Sequence, residues 1–385
     1  MSNRMHVMMF IVVFVLAALA QAQTFTGIFS FDGSDGSYPF TGRLVLDHKT
    51  GTLYGTTYYG GSDGYGTVFS VTTPGTQTVL YNFTGGSDGG YPFAPVVRDS
   101  SGNLYGTTSY GGAYSSYGVV YKLDTAGNET VLHSFAGGTS DLCYPYQGVA
   151  RDKSGTLYGT ATGCGANSYG GIYEIDTAGN ETILHNFRYS LDGAYPYYGS
   201  LRLTETGLLW GVCSEGGTYG YGTLYSHVPG NIFHVLHNFA GPPGDGAYPY
   251  GTVARDGKRN SYGTTSAGGS NDYYGTVWEV SSSGTETILY NGNYDTSDCA
   301  GFGGGVARTK DGLLYGLAEL GGSDYAGCLY QINNGTFMIL HSFTDGSDGG
   351  YPFGDEVTLA SSGTLYGATQ SGGSSGYGTV WSYVP

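Results

Sequence analysis

The chain has 385 residues, of which 71 are glycine and 38 are tyrosine, while charged residues make up only 11%. This composition argues against a helical or α/β enzyme, because glycine destabilises helices and tyrosine favours the half-buried surface of a β-sheet. Aromatic residues, at 15%, supply ample apolar surface for a packed core, which argues against a disordered chain.

Residues 1–22 have the pattern of a secretory signal peptide. Arg4 is the positive n-region, residues 7–19 are apolar, and Ala20-Gln21-Ala22 is a small-x-small cleavage site. The apolar stretch is short for a membrane span of about 20 residues. We therefore expect a bacterial-type exported protein that starts at Gln23, is extracellular or periplasmic, and has no membrane span after cleavage.

The charge of the mature chain restricts its partners. Cleavage removes Arg4, so the 14 basic residues become 13 against 30 acidic ones, a formal charge of −17. Such a field repels nucleic acids and anionic membranes. Neutral glycans, proteins and cations remain as candidate partners, and we expect a monomer.

A repeat with a period near 52 residues runs through the whole mature chain. Its clearest mark is Leu-Tyr-Gly or a close variant, in seven copies spaced 51–53 residues apart. The central aromatic residues of the copies are Tyr54, Tyr105, Tyr158, Trp210, Tyr262, Tyr315 and Tyr366.

Three further motifs recur with the same period and complete a four-stranded unit. A Tyr-Pro-aromatic motif such as Tyr91-Pro92-Phe93 predicts strand a, and Leu-Tyr-Gly predicts strand b. Tyr-Gly-Thr-Val-aromatic predicts strand c, and a run such as Val131 to Phe135 predicts strand d. Glycine- and aspartate-rich turns join the strands, so each unit is expected to be an antiparallel meander.

The repeats predict an all-β, seven-bladed β-propeller over residues 23–385, built of four-stranded antiparallel blades. A d-type strand opens the mature chain at Ile28 to Phe31, and the last motif is a c-type strand at Tyr377 to Trp381. The N-terminal strand is therefore expected to complete blade 7 and close the ring. An open solenoid would instead favour polar caps at both ends.

One aspartate occurs in every repeat, three residues before the Tyr-Pro position: Asp35, Asp88, Asp141, Asp192, Asp245, Asp298 and Asp348. A ring of carboxylates could hold calcium, the one ion that the sequence suggests; no other cofactor is predicted. The alternative, which identity in all seven copies favours, is a structural residue that accepts hydrogen bonds from nearby backbone N–H groups.

The d–a and b–c connections share one face of the predicted ring and are its longer loops, where binding residues tend to lie. Tyrosines in these loops are candidates for stacking on sugar rings: Tyr58, Tyr59, Tyr110, Tyr114, Tyr219 and Tyr273. The alternative is that they pack within the loops.

The histidines and cysteines have structural interpretations. His133, His185, His237 and His341 share one place in strand d, where Phe29, Tyr81 and Tyr290 also stand, which is typical of a packing position and not of a metal ligand. The chain has five cysteines. Cys143 precedes strand a and Cys164 follows strand b of the same blade, so these two are a candidate disulfide, and Cys299 and Cys328 are a second candidate pair. Cys213 is left over, and the odd number of cysteines is equally compatible with free buried thiols.

Glu215 and Glu319 break the repeat symmetry beside the Gly-Gly doublets that follow strand b. Two carboxylates can serve glycoside hydrolysis, but these lie in blades 4 and 6, which are not adjacent. They are weak catalytic candidates, and no other catalytic motif stands out.

The motif string Leu-Tyr-Gly-Thr-Thr, Gly-Gly, Tyr-Gly-Thr-Val-Phe, Val-Leu-His-Ser-Phe and Asp-Gly-x-Tyr-Pro resembles the GloVer tandem repeat of exported bacterial proteins. The resemblance covers essentially residues 24–385 and implies an exported, β-propeller-like repeat protein. It implies no activity and no catalytic residues.

The leading functional hypothesis is a secreted, non-catalytic module that binds carbohydrate on the d–a/b–c face. One alternative is a structural or protein-interaction scaffold without a small ligand. Another is a propeller glycosidase or lyase that uses Glu215 or Glu319.

Overall fold

The computed structural model describes residues 23–40, 43–114, 116–230 and 232–385. The signal peptide predicted at 1–22 lies outside these ranges. The described chain forms seven four-stranded antiparallel sheets, each ordered a-b-c-d, which are the blades of a seven-bladed β-propeller. The predicted fold class is confirmed.

Each blade contributes one strand of each type, and the four sets follow in blade order. The a strands are Val45–Asp47, Val97–Arg98, Ala150–Arg151, Arg202–Leu203, Gly246–Arg255, Val306–Arg308 and Thr358–Leu359. The b strands are Thr52–Thr57, Leu104–Thr108, Leu157–Ala161, Leu209–Cys213, Ser261–Gly268, Leu314–Ala318 and Leu365–Thr369. The c strands are Thr67–Val71, Val119–Leu123, Gly171–Ile175, Thr223–His227, Thr276–Val280, Cys328–Asn333 and Thr379–Val384. The d strands are Gln77–Asn82, Glu129–Ser134, Glu181–Asn186, Phe233–Asn238, Glu286–Asn291, Thr336–Ser342 and Thr24–Ser30.

The remaining elements are short and lie in the loops. Leu142–Cys143 pairs with Gly163–Cys164, and Cys299–Ala300 pairs with Leu320–Gly321. The helices of the described ranges are single turns, at Tyr189–Asp192 and, as a 3₁₀ turn, at Gly269–Asn271. No helix in these ranges is long and apolar enough to cross a membrane.

The ring closes as the sequence predicts. Thr24–Ser30 is the fourth strand of blade 7 and pairs antiparallel with Thr379–Val384, so that Thr24 lies opposite Val384 and Ser30 opposite Thr379. The two ends of the described chain therefore lie in the same sheet.

The position of strand a differs from the prediction. The Tyr-Pro motif precedes strand a in five of the six blades that have it, whereas in blade 5 the strand Gly246–Arg255 includes the motif. Tyrosines at this position have positive φ, as at Tyr91 (57°), and proline has no N–H for a ladder hydrogen bond.

The Tyr-Pro motif instead links neighbouring blades. The N–H of Tyr91 donates to the carbonyl of Tyr65, which stands just before strand c of the preceding blade, at 2.8 Å. Pro92 packs over Gly66 so closely that a side chain on Gly66 would meet its ring. The same donation joins other pairs, such as Tyr144 to Tyr117 and Tyr195 to Tyr169.

The core of every blade rests on a glycine paired with a large aromatic residue. The glycine of Leu-Tyr-Gly lies directly across from the aromatic residue of strand c, as Gly106 lies opposite Tyr121. The seven pairs are Gly55–Phe69, Gly106–Tyr121, Gly159–Tyr173, Gly211–Tyr225, Gly263–Trp278, Gly316–Tyr330 and Gly367–Trp381. All seven aromatic side chains are fully buried, and a Cβ on any of these glycines would lie closer than 3.0 Å to the paired ring or its hydroxyl.

We predict that Gly106→Ala destabilises the protein by about 1–3 kcal/mol, because the added methyl group overpacks the Tyr121 ring. Urea unfolding monitored by fluorescence measures this change. Gly257→Ala is the matched control, since Gly257 has open space where a Cβ would lie. Equal unfolding free energies for the two variants would contradict the proposed packing constraint.

Candidate functional site

One face of the ring is covered with tyrosine. Eleven of the described tyrosines are substantially exposed, and ten of them lie in d–a or b–c connections, with Tyr248 at the start of the long strand a of blade 5. They are Tyr38, Tyr59, Tyr110, Tyr114, Tyr144, Tyr219, Tyr248, Tyr273, Tyr294, Tyr325 and Tyr377. All of them therefore belong to the face that carries the longer loops.

Five of the six candidate tyrosines are exposed to solvent, and one is half-buried. Tyr273 is 81% exposed, and Tyr59, Tyr110, Tyr114 and Tyr219 are also exposed. Tyr58 is half-buried, because its ring contacts Phe40, Tyr91 and Phe93.

Tyrosines of blades 1 and 2 form a connected group that we call the tyrosine platform: Tyr38, Tyr59, Tyr65, Tyr91 and Tyr110. Tyr59 meets the rings of Tyr38 and Tyr91 edge-on, at centroid distances of 5.7 and 5.5 Å. Tyr110 lies parallel to Tyr65 at 6.5 Å and contacts Tyr91 at 5.6 Å.

The backbone holds this platform in place. Tyr59 exchanges two backbone hydrogen bonds with Ser37, and Tyr110 exchanges two with Gly90. The residues at the place of Tyr59 and Tyr110 in the other blades are Gly163, Glu215, Ala267, Leu320 and Ser371. The platform is therefore a feature of two blades only.

The seven repeated aspartates lie beside strand d and accept backbone hydrogen bonds. Asp88 accepts from the N–H of Thr84 at 2.8 Å, Asp141 from that of Ala136 at 2.6 Å, and Asp245 from that of Ala240 at 2.8 Å. Asp35, Asp192, Asp298 and Asp348 accept from backbone N–H groups in the same loops. These contacts are those of residues that fix a turn.

Aromatic rings from different blades contact one another near the starts of the a strands. They come from the residues that follow the Tyr-Pro pairs of blades 1, 2, 3, 4, 5 and 7. Phe40 contacts Phe93 at 4.3 Å, Phe93 contacts Tyr198 at 5.0 Å, and Tyr198 contacts Phe353 at 5.3 Å.

The opposite face, formed by the a–b and c–d turns, carries a groove that the sequence analysis did not predict. Its volume is about 640 Å³, and Arg43, Arg151, Lys153 and Arg202 are among the residues that line it. These basic residues come from three separate repeats, so no local motif joins them.

The arginines of this groove already have partners within the protein. Arg43 pairs with the buried Asp355 at 3.6 Å, and Arg202 pairs with Glu356 at 3.3 Å. Arg151 lies over the ring of Tyr105. The positive charge of the groove is therefore largely balanced internally.

Glu215 and Glu319 lie on the tyrosine face but contact different neighbours. Tyr189 donates its hydroxyl to Glu215 at 3.5 Å. Burial raises the pKa of Glu319. The contacts do not join the two carboxylates into one site.

Two blades each contain one disulfide bond. Cys143 is bonded to Cys164 in blade 3, and Cys299 to Cys328 in blade 6. Cys213 is a buried free thiol. Its burial raises its pKa well above the usual value for cysteine.

The histidine position of strand d defines seven equivalent sites between neighbouring blades, which we call the junctions. Each junction combines the residue at the histidine position, the repeated aspartate that follows it, and a residue at the start of the next blade's strand d. That third residue is Phe in three junctions, Glu in three and Gln in one: Phe25, Phe233, Phe337, Glu129, Glu181, Glu286 and Gln77.

Three junctions are stacks of aromatic rings. Phe233 lies parallel to His185 at 4.0 Å, Phe25 to His341 at 3.8 Å, and Phe337 to Tyr290 at 3.7 Å. Packing is the role that the sequence predicts for this position.

The glutamate junctions are different, because they bring two carboxyl groups together. Burial, together with the nearby repeated aspartate, raises the pKa of Glu129 to about 7, that of Glu181 to about 8 and that of Glu286 to about 9. Sequence reasoning missed these groups, although a glutamate follows His133 and His237 at nearly the same spacing.

The fold and this set of loops define a closed, seven-bladed propeller with one aromatic face. The family model of the Gloeobacter/Verrucomicrobia repeat matches residues 12–205 and 144–381 of the sequence. The chain therefore belongs to this repeat family, and the resemblance noted in the sequence is confirmed. No curated protein matches the sequence.

Solved structures with similar folds have little sequence in common with the chain. The extracellular domain of a candidate one-component system from B. thetaiotaomicron has a TM-score of 0.56 at 12% identity; the match covers 92% of the present chain and 39% of that protein. A candidate 6-phosphogluconolactonase from Bacteroides uniformis has a TM-score of 0.51 at 18% identity, with 83% and 88% covered. Puromycin hydrolase has a TM-score of 0.52 at 10% identity, with 88% and 52% covered. At such identities the similarity concerns the fold alone.

We predict that Glu129→Gln changes how stability depends on pH. The folded protein holds a proton on Glu129 up to about pH 7, whereas the unfolded chain loses it near the ordinary glutamate pKa of 4.5. Native stability therefore falls as pH rises through this window, and the neutral Gln, which stands naturally at position 77, removes that loss.

Urea unfolding at intervals from pH 4.5 to 8 tests this. The stability of the variant relative to the wild type should rise across the window and level off above it. Glu205→Gln, on an exposed turn, controls for the loss of a surface charge. A constant difference between Glu129→Gln and the wild type at every pH would refute the assignment.

Proposed function

We propose that the protein is a secreted, non-catalytic binding module, and that its tyrosine platform binds neutral carbohydrate. The observation that carries this proposal is the confinement of exposed tyrosine to one face, with Tyr59 and Tyr110 held in a connected group. Aromatic faces stack on the C–H surfaces of sugar rings, while phenolic hydroxyls are available to hydrogen-bond sugar hydroxyls.

Preorganisation supports a binding role for the platform. Ordering a side chain on binding costs about 0.5–1.5 kcal/mol, and this cost falls when the side chain is already fixed. The backbone pairs Tyr59–Ser37 and Tyr110–Gly90 and the contacts between the rings fix this part of the surface before any ligand arrives.

Charge supports a neutral ligand. The mature chain carries a formal charge of −17, because it has 13 basic and 30 acidic residues after the loss of Arg4. An acidic glycan would be repelled by this field, whereas stacking on a neutral sugar is independent of it.

Further exposed tyrosines around the same face would allow contact with a second part of a long glycan. Tyr219 is 59% exposed and Tyr273 is 81% exposed, in blades 4 and 5. Two weak contacts on one chain strengthen binding well beyond either contact alone.

Export is consistent with the covalent structure. The disulfides Cys143–Cys164 and Cys299–Cys328 are typical of proteins outside the cytosol. Together with the predicted signal peptide, they support a location where glycans are accessible.

A glycan array of neutral oligosaccharides, followed by titration of the best ligand, tests the proposal. We expect the double variant Tyr59→Ala/Tyr110→Ala to bind at least about tenfold more weakly, a loss of about 1.4 kcal/mol. Tyr59→Phe/Tyr110→Phe retains the rings and should keep most of the affinity if stacking dominates.

Ile232→Ser is the control on the opposite face, where another highly exposed apolar side chain lies in a c–d turn. It should bind like the wild type. A blank array, or unchanged affinity in the double alanine variant, would reject the platform as a glycan site and favour a protein-interaction scaffold.

A further inference from the structure

Two of the seven junctions bring one histidine and two carboxylates to a common centre. Between blades 2 and 3 these are His133, Asp141 and Glu181; the other set, described below, lies between blades 4 and 5. In each set one ligand atom from every residue lies within 4.8 Å of the others. The Nε2 atom of His133 is 3.6 Å from Asp141 and 3.9 Å from Glu181.

The set between blades 4 and 5 is His237, Asp245 and Glu286, and its histidine is oriented as metal ligands usually are. The Nδ1 atom of His237 lies 2.9 Å from the carbonyl oxygen of Gly284, and because this oxygen can only accept, Nδ1 carries the proton. The other ring nitrogen, Nε2, faces the Asp245 carboxylate, at 3.2 Å. A backbone acceptor on one ring nitrogen commonly fixes the other for a metal.

Polar atoms in both sets lack the partners that burial demands. The Nε2 atom of His133 and the Oε1 atoms of Glu181 and Glu286 are inaccessible to solvent and have no hydrogen-bond partner. Buried polar atoms are nearly always satisfied, so each orphan atom calls for an explanation. A cation at the centre of each set would satisfy them.

We propose that these two junctions are metal sites, each of which binds a divalent transition-metal ion of the zinc type between adjacent blades. One imidazole and two carboxylates leave a fourth position for water. Ligands at about 2.0–2.2 Å around a tetrahedral zinc are separated by about 3.3 Å. The histidine–carboxylate distances of 3.2, 3.6 and 3.9 Å therefore need only small movements, and the remaining ligand atoms, which lie within 4.8 Å of one another, have to move closer together. Calcium prefers six to eight oxygen ligands, which fits this donor set less well.

The other junctions provide natural variants of the same site. In blades 3–4 and 6–7 a phenylalanine occupies the glutamate position and stacks on the histidine, at Phe233 and Phe25. A Glu→Phe change therefore removes a metal ligand and replaces it with a phenylalanine–histidine stack that already occurs at two other junctions.

Calorimetric titration of the untagged, EDTA-treated and dialysed protein with zinc chloride tests the proposal. The wild type should bind two ions per chain at saturation. Glu181→Phe and Glu286→Phe should each bind one, and the double variant none. Addition of cobalt(II) should give the visible absorption of a tetrahedral site in the wild type and lose it in the double variant.

Thermal unfolding gives an independent readout. An ion that binds only the folded protein raises its melting temperature by mass action. Zinc should therefore raise the melting temperature of the wild type but not that of the double variant. If a phenylalanine variant fails to fold in EDTA, Glu181→Gln and Glu286→Gln take its place, because Gln77 shows that the fold accepts glutamine at this position.

Equal zinc stoichiometry in the wild type and the double variant would overturn the assignment, because the ions would then bind elsewhere on the acidic surface. A wild type without saturable zinc binding would overturn it as well.

Discussion

The structure depends on the contact between a glycine of strand b and a large aromatic residue of strand c. Each buried ring occupies the space that a side chain on the facing glycine would need, as Tyr121 does over Gly106. Glycine weakens a strand on its own, and an aromatic neighbour that covers it restores apolar contact. Because the same pair recurs in all seven blades, every blade needs a glycine at this place in strand b and a large aromatic residue opposite it in strand c.

The junctions show how one geometry between blades accepts different chemistry. Where Phe233 faces His185, two rings stack and bury apolar surface. Where Glu181 faces His133, the same space holds carboxyl groups and a ring nitrogen, and burial raises the pKa of the glutamate to about 8. The turn formed by the repeated aspartate is common to both kinds of junction, so the third residue can vary without loss of the blade contact.

Most of the fold could be predicted from the sequence because each repeat marks its strands with short sequence motifs. Leu-Tyr-Gly and Tyr-Gly-Thr-Val mark strands b and c, and the d-type motif near the N-terminus pairs with the c strand that contains Trp381. The position of strand a was predicted wrongly, since the left-handed backbone of Tyr91 is set by its hydrogen bond to the neighbouring blade. The groove beside Arg43 and Arg202 is lined by residues of separate repeats, so no local sequence motif could predict it.

The features most able to confer function are those in which the blades differ. A contact repeated seven times, such as the turn made by Asp88, is accounted for by the needs of the fold. The place of Tyr59 and Tyr110 is different, because other blades have Glu215 or Ala267 there and fold equally well. The fold therefore leaves this position free, and tyrosine at it keeps apolar rings exposed without any gain to the core. Two such rings lie in adjacent blades and contact their neighbours, and this is the feature of the surface on which the proposed binding role rests.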